Sequence, residues 1–222
     1  LSWVDQTDAV CRNEKGVPIT DLDLIPFPAR DATAETIAQK NPVHLVTSRG
    51  CQATCFFCSV VSFVREMKHT PSWRSRSISN IVDEIAYIHG TFGVSCFKIV
   101  DDSFIEPPRD AKWVENFAEE LRKRNLSITF RTQIRADRIN KKIVELLAGT
   151  GWFATGIGIE NASPTALKRM NKKATAKQNK RSLELLEQYG VYVQMGMILF
   201  DHETTMAELE ELGLITHPHT SA

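Results

Sequence analysis

The segment Cys51-Gln-Ala-Thr-Cys55-Phe-Phe-Cys58 places three cysteines within eight residues. It directly follows a short apolar run, Val43-His-Leu-Val-Thr47, which we predict to be a buried strand. In an α/β protein this position is the carboxyl end of a strand, where ligands bind. Three thiolates on one tight loop can take three corners of an iron–sulfur cube and leave the fourth iron open. The spacing therefore predicts a 4Fe–4S cluster on Cys51, Cys55 and Cys58.

A structural zinc site is the main alternative, with Cys96 or His69 as the fourth ligand; three cysteines buried by chance is another. Structural zinc sites usually combine two CxxC-like pairs, and this sequence has no second pair. The chain has 5 cysteines in all, and an odd number is a poor disulfide framework. Metal ligation in a reducing cytoplasm is the better interpretation.

Strands and helices alternate outward from the cysteine loop. We predict strands at 43–47, 94–100, 127–133, 152–160 and 191–200, and helices at 79–90, 110–125, 140–148, 175–189 and 204–212. Ser163 can cap a further helix that Pro164 opens, and Gly90 is a stop signal. Such alternation implies a parallel sheet with right-handed crossovers, either open and doubly wound or closed toward a barrel.

Composition narrows the class of protein. The chain has 222 residues, with 42% apolar and 24% charged residues, as in an ordinary soluble globular domain. Lys plus Arg equals Asp plus Glu, which argues against a dedicated nucleic-acid binder. No apolar run approaches the roughly 18 residues of a membrane span, and no secretory signal opens the chain. We therefore expect a cytoplasmic protein that does not enter a membrane.

The first 41 residues differ from the rest. Residues 21–30 contain two prolines and no clean period, so we expect residues 1–41 to be an extended linker. Residues 42–222 then form the core domain. Because the first residue is Leu1, we also expect the chain to be a piece of a longer protein with an upstream domain.

The CxxxCxxC loop after the first strand, with the aromatic Phe57 before the last cysteine, resembles the radical S-adenosylmethionine (radical SAM) superfamily. The resemblance covers about residues 42–212. It implies a partial (β/α)6 TIM-like barrel with about five of six strands present. It also implies that SAM chelates the open iron and is cleaved by one electron into methionine and a 5′-deoxyadenosyl radical. A small-molecule substrate and an electron donor such as flavodoxin or ferredoxin are the implied partners.

The resemblance also assigns contacts to SAM. Phe57 stands where the family packs an aromatic ring by the adenine, and a plain core phenylalanine is the alternative. Asp102 ends the second strand and would accept from the SAM amino group, unless it only starts a turn or caps a helix. Glu160, in Gly156-Ile-Gly-Ile-Glu160, would bond the ribose or amino group, unless it is a surface residue.

The SAM carboxylate has two candidate partners. Lys172, in Met170-Asn-Lys172, stands where many relatives carry an arginine, but lysine cannot form the bidentate fork. Arg135 follows the third strand and could serve the same end. The surrounding cations are typical of a solvated helix face: Lys168, Arg169, Lys172, Lys173, Lys177, Lys180 and Arg181.

Residues 21–31, 73–77 and 100–104 resemble the superfamily branch that carries an N-terminal cobalamin-binding domain. That branch includes anaerobic magnesium-protoporphyrin ester cyclases and cobalamin-dependent methyltransferases, so we expect cobalamin to bind through an upstream domain. The segment 200–205 departs from the Pro-Gly-Glu-Thr turn of most members. The alternatives are a tRNA-modifying radical SAM methylthiotransferase and a non-catalytic iron–sulfur or zinc protein. An electron carrier would want four cysteines.

Overall fold

The computed structural model describes residues 2–12, 18–66 and 71–213. The strands in these ranges are β1 (Ser2–Val4), β2 (Val10–Arg12), β3 (Val43–Leu45), β4 (Ser48–Gly50), β5 (Trp73–Ser75), β6 (Cys96–Ile99), β7 (Thr129–Arg135), β8 (Trp152–Glu160) and β9 (Tyr192–Met197). The α-helices are α1 (Thr33–Ala38), α2 (Ser59–Glu66), α3 (Ile78–Phe92), α4 (Ala111–Lys123), α5 (Lys141–Gly149), α6 (Pro164–Arg169), α7 (Ala176–Gln188) and α8 (Met206–Glu211).

The main sheet has five parallel strands in the order β3-β6-β7-β8-β9. Spatial order follows chain order, so every crossover moves in the same direction. A doubly wound sheet would instead reverse its order at a switch point. The five-stranded, singly wound sheet confirms the predicted partial barrel.

Side-chain caps start most of the predicted helices. Ser77, Asp110, Asn140 and Thr175 each accept a hydrogen bond from the backbone N–H three residues further on. The predicted cap by the Ser163 side chain is wrong, because its hydroxyl lies 2.9 Å from Thr165 Oγ1 and caps no N–H.

The predicted stop of α3 at Gly90 is also wrong. The helix continues to Phe92 and ends at Gly93, whose φ of 69° is the left-handed conformation typical of a helix C-terminus. A glycine inside a helical pattern thus proved a weaker stop signal than one that can take a positive φ.

The hydrophobic core lies between one face of the sheet and the helices. Successive residues of a strand point to opposite faces. Phe97 on β6 and Phe130 on β7 are fully buried on the helix side, where Phe130 packs edge-on against Phe117 of α4. The alternate residues Lys98 and Arg131 lie on the other, concave face, which is polar.

The segment before the barrel contains regular structure, and its residues 22–38 pack on the barrel, so the predicted extended conformation is wrong there. A β1–β2 hairpin, a 3₁₀ turn at Leu22–Leu24 and α1 occupy the region. Leu22 is buried, and Arg30 forms an ion pair with the buried Glu84 of α3. The domain boundary at residue 41 stays a prediction.

Two elements beside the cysteine loop are not predicted from the sequence: the antiparallel pair of β4 and β5, which closes a long excursion of the chain, and α2. Strands of three residues are too short to show a period.

Across the described ranges, no helix has the length and apolar character needed to cross a bilayer.

Candidate functional site

The cysteine loop lies at the carboxyl end of the sheet, between β4 and α2. Gly50, the last residue of β4, turns the chain into it with a φ of 89°. A Cβ atom at this position would lie 2.1 Å from the carbonyl oxygen of Ser72 on the paired strand segment. Only glycine therefore fits the entry to the loop.

The segment Met170–Lys172 fastens the loop from the other side. The backbone N–H of Phe56 donates to the Met170 carbonyl at 3.0 Å. Asn171 Nδ2 donates to the Thr54 carbonyl and hydroxyl at 2.7 and 2.9 Å. Sequence reasoning assigned this segment a cofactor contact through Lys172 and missed the anchor. Asn171 is the sequence signal that could have indicated this anchor. Asparagine tolerates the left-handed backbone that it adopts here, with a φ of 52°.

Cys51, Cys55 and Cys58 are free thiols that border one cavity of about 450 Å³. Cys55 is buried, and Cys51 donates to Glu106 Oε1 at 3.4 Å. Burial raises the pKa of Cys51 to about 11, with Glu106 acting in the same direction. A thiol in this setting becomes a thiolate ligand when a metal ion supplies compensating positive charge.

The three cysteines are donors of the kind that an iron–sulfur cluster needs. Among the described residues, no three His, Cys, Asp or Glu side chains are grouped to hold one metal ion. In an iron–sulfur cube each thiolate binds a separate iron, so its ligands need not converge on one point. Cys96 is the exposed first residue of β6, at the opposite end of the sheet, and His69 lies outside the described residues. The cluster assignment itself stays a prediction.

The five residues predicted to contact SAM border the same cavity: Phe57, Asp102, Arg135, Glu160 and Lys172. The structure therefore brings all eight candidate residues together, although the roles of these five remain predictions. Phe57 is 44% exposed, so the alternative of a core phenylalanine is wrong.

Glu160 and Lys172 form an ion pair inside the cavity. Lys172 Nζ lies 2.8 Å from Glu160 Oε1 and 5.9 Å from the centroid of the Phe57 ring. Glu160 follows a register shift in β8 and has a φ of 65°. A Cβ atom on Gly158 would lie 2.4 Å from Glu160 Oε1 and 2.7 Å from Lys172 Nζ. A glycine at 158 thus leaves room for the pair.

Burial corrects two sequence interpretations here. Glu160 is 9% exposed, so it is not a surface residue. Lys172 is 4% exposed, so it does not belong to a solvated helix face. Arg169 also leaves that face, because it donates to Asp201 at 3.0 Å and to both carboxylate oxygens of Glu208 at 2.9 and 3.1 Å.

Arg135 and Asp102 are held by hydrogen bonds to residues around the cavity. Arg135 donates to Asp137 Oδ2 at 2.9 Å, to the Lys172 carbonyl at 3.0 Å and to Cys55 Sγ at 3.5 Å. Burial opposes its charge, but the bond to Asp137 keeps the pKa of Arg135 above its usual value. Asp102 Oδ2 accepts the Gly50 N–H at 2.9 Å, which is neither a helix cap nor a local turn.

A second polar network lies behind the loop, and sequence reasoning missed it. The buried Asp101 accepts from the Thr47 N–H at 2.6 Å and from the Ser48 hydroxyl at 2.7 Å. Arg109 lies 3.4 Å from Asp101 Oδ2, and its guanidinium carbon is 4.3 Å from the Trp113 ring centroid. Burial lowers the pKa of Arg109 to about 10, while Asp101 opposes that shift. The network ties the entrance of the cysteine loop to the end of β6.

The sequence pattern of the radical SAM superfamily matches residues 45–213. The chain is 25% identical over 203 residues to an uncharacterised methyltransferase of Pyrococcus horikoshii, which covers 90% of this chain and 42% of that protein. It is 32% identical over 166 residues to the anaerobic magnesium-protoporphyrin IX monomethyl ester cyclase of Rubrivivax gelatinosus, which covers 74% of this chain and 28% of that protein.

A solved structure is also similar. The cobalamin-dependent S-adenosylmethionine radical enzyme OxsB, with aqua-cobalamin and S-adenosylmethionine bound, superposes with a TM-score of 0.76 at 27% identity. The match covers 95% of this chain and 31% of OxsB. The chain thus spans less than half the length of each of these proteins.

Proposed function

We propose a function from one established fact: this chain belongs to the radical SAM superfamily. Enzymes of this superfamily use a 4Fe–4S cluster and SAM, and the chain is the core of such an enzyme. We infer that it reductively cleaves SAM to a 5′-deoxyadenosyl radical. The observation that carries the proposal is that one cavity is bordered by the three cysteines and by all five predicted SAM contacts.

The cysteines are the proposed cluster ligands. Cys51, Cys55 and Cys58 provide three thiolates, and the loop is held at its entrance through Gly50 and at its middle through Asn171. When bound, the cluster supplies the electron that cleaves SAM. With Arg135 Nη1 donating to Cys55 Sγ at 3.5 Å, a fixed cation lies beside the thiolates and offsets part of their negative charge.

The Glu160–Lys172 pair suits the methionine end of SAM, which carries both an ammonium and a carboxylate. Such a zwitterion can replace the internal pair with two new ones, its ammonium on Glu160 and its carboxylate on Lys172. Arg135 is a second partner for the carboxylate, because its buried Nε has no hydrogen-bond partner in the described part of the chain. Asp102 would accept from the ammonium, and Phe57 would pack on the adenine.

The subclass we propose is a cobalamin-dependent methylation or a related radical transformation of a small organic molecule. Support comes from the kinds of protein that resemble this chain: a methyltransferase, a cyclase and a cobalamin-dependent radical enzyme. Cobalamin would bind through a further domain of a longer protein. A flavodoxin or ferredoxin would deliver the electron, and the cytoplasm would be the location.

The test is SAM cleavage by anaerobically reconstituted protein with dithionite as reductant. The proposal predicts 5′-deoxyadenosine from the wild type and from Cys96→Ala, and none from Cys51→Ala, Cys55→Ala or Cys58→Ala. Iron, sulfide and zinc assays accompany it. Full cluster content in Cys55→Ala, or stoichiometric zinc in the wild type, would refute the cysteine assignment. The absorption spectrum of the longer parent protein tests the proposed cobalamin-dependent subclass. That subclass assignment fails if the longer protein never retains cobalamin.

A further inference from the structure

The concave face of the barrel carries a row of basic side chains on three neighbouring strands. His44 of β3 is in register with Lys98 of β6, and Lys98 is in register with Arg131 of β7. Residues in register on adjacent parallel strands point to the same face, and adjacent strands lie about 4.8 Å apart. The three side chains therefore stand side by side.

The charge of Lys98 acts on its neighbour His44. Burial, with the neighbouring charges of Lys98 and Arg30, lowers the pKa of His44. Like charges directly opposite each other destabilise a sheet. A row of this kind is unfavourable by itself and becomes favourable when an anion lies against it.

Arg30 has its own counter-ion in Glu84, whereas Lys98 and Arg131 have none among the described residues. Within residues 2–12, 18–66 and 71–213, no carboxylate forms an ion pair with either of them. The Arg131 Nη2 instead donates to Gln194 Oε1 at 2.7 Å. That contact reaches over β8, where the residues on this face are Ala154 and Gly156 and leave room for the guanidinium.

Both cations also face open space. Arg131 borders the 450 Å³ cavity that the three cysteines share. Lys98 and His44 border a second cavity of about 510 Å³, which residues 29–43 also line. Lys98 and Arg131 are both only partly exposed, which strengthens their attraction for an anion relative to fully solvated side chains.

We propose that the substrate of this enzyme carries a phosphate or carboxylate group that Lys98 and Arg131 bind on the concave face of the barrel. This inference rests on the proposed function, because it takes the cysteine cavity as the reaction site. Arg131 and Arg135 are four residues apart on β7, or about 13 Å. The anionic group would therefore be held well away from the substrate atom that reacts near the cysteines.

The experiment measures anion binding and SAM binding on the same anaerobic protein samples at low ionic strength. Inorganic pyrophosphate and succinate are titrated separately by calorimetry, one probe for each anion type. The variants are Lys98→Gln, Arg131→Gln and Arg131→Lys. Lys112→Gln is the control, because that side chain is 72% exposed on α4 and pairs with Glu115. Circular dichroism checks that each variant is folded.

We expect the wild type to bind at least one probe, and the stronger probe identifies the anionic group. Lys98→Gln and Arg131→Gln should each weaken that binding about tenfold or more, as for loss of a charge-assisted hydrogen bond. Arg131→Lys should retain most of it, and SAM affinity should not change in Lys98→Gln, because Lys98 borders the other cavity.

The inference is overturned if the wild type binds neither probe. It is also overturned if both glutamine variants bind as the wild type does. Anion binding in protein that fails to bind SAM would sink the proposed function and with it the substrate role. A wild type that binds SAM but neither anion probe would sink the inference alone and leave the proposed function standing.

Discussion

Asp101 and Asp102 are adjacent at the end of one strand, yet they belong to two different regions. Asp101 is 1% exposed and lies in the network behind the cysteine loop, with Thr47, Ser48 and Arg109 around its carboxylate. Asp102 borders the cysteine cavity and accepts the Gly50 N–H. In the first region the buried carboxylate has its hydrogen-bond partners within the protein and supports the loop. In the second region polar atoms face the cavity and are free to bind a ligand.

The comparison separates stability from binding. A buried charge with all its partners in place fixes the backbone around it, and its removal leaves another charge uncompensated. A polar group facing a cavity contributes less to folding, because its missing partner is the ligand. Substitutions in the two regions should therefore be measured by different quantities, the free energy of unfolding for one and SAM affinity for the other.

The largest expected effect is in the support network. Asp101→Ala leaves Arg109 buried without its counter-ion, which should lower the free energy of unfolding by about 3–5 kcal/mol. Asp102→Ala, the matched neighbour, should lower it by less than about 1 kcal/mol. Urea denaturation of both variants checks this. Equal losses would show that the two regions do not differ as described.

The next effect is on the cavity pair. Glu160→Gln removes the negative charge that we assign to the SAM ammonium, and the loss should be roughly 1.5–3 kcal/mol, or about tenfold or more in affinity. The exposed Glu184→Gln on α7 is the control and should leave SAM affinity unchanged. Equilibrium titration of SAM is the measurement. Wild-type affinity in Glu160→Gln would remove Glu160 from the site.

A smaller effect is expected from the glycines of β8. An added methyl at Gly158 would displace the ends of Glu160 and Lys172, which are flexible, so SAM affinity should fall by about tenfold or less while stability changes little. At Gly156 the nearest atom to an added Cβ is Gln133 Cγ at 3.4 Å, an ordinary contact. Gly156→Ala should therefore change SAM affinity less than Gly158→Ala. The reverse order would contradict the role given to Gly158.

Sequence patterns located the periodic elements well. The strand predicted at 152–160 is observed as β8 (Trp152–Glu160), because a long apolar run bounded by glycine is distinctive. The three-residue strands of the β1–β2 hairpin and of the β4–β5 pair show no period, so the sequence does not predict them. The packed N-terminal segment was missed for another reason. It is tied down by contacts between distant residues, such as Arg30 with Glu84, that local sequence does not encode.

The candidate site likewise has features that local sequence predicts and features that depend on the rest of the fold. Cysteine spacing is a local signal, so the three thiols were found together with the strand ends beside them. Which of two adjacent aspartates turns inward depends on Arg109, Thr47 and Ser48, which come from other parts of the fold. The burial of Lys172 within a cation-rich stretch depends likewise on Glu160, twelve residues away in sequence.

The central claim is that Cys51, Cys55 and Cys58 hold a cluster whose remaining iron is open to SAM. Electron paramagnetic resonance of the reduced wild-type protein, before and after addition of SAM, tests it most directly. The account predicts a 4Fe–4S signal that changes when SAM binds, and no such signal in Cys55→Ala. An identical spectrum with and without bound SAM, or an intact cluster signal in Cys55→Ala, would contradict it.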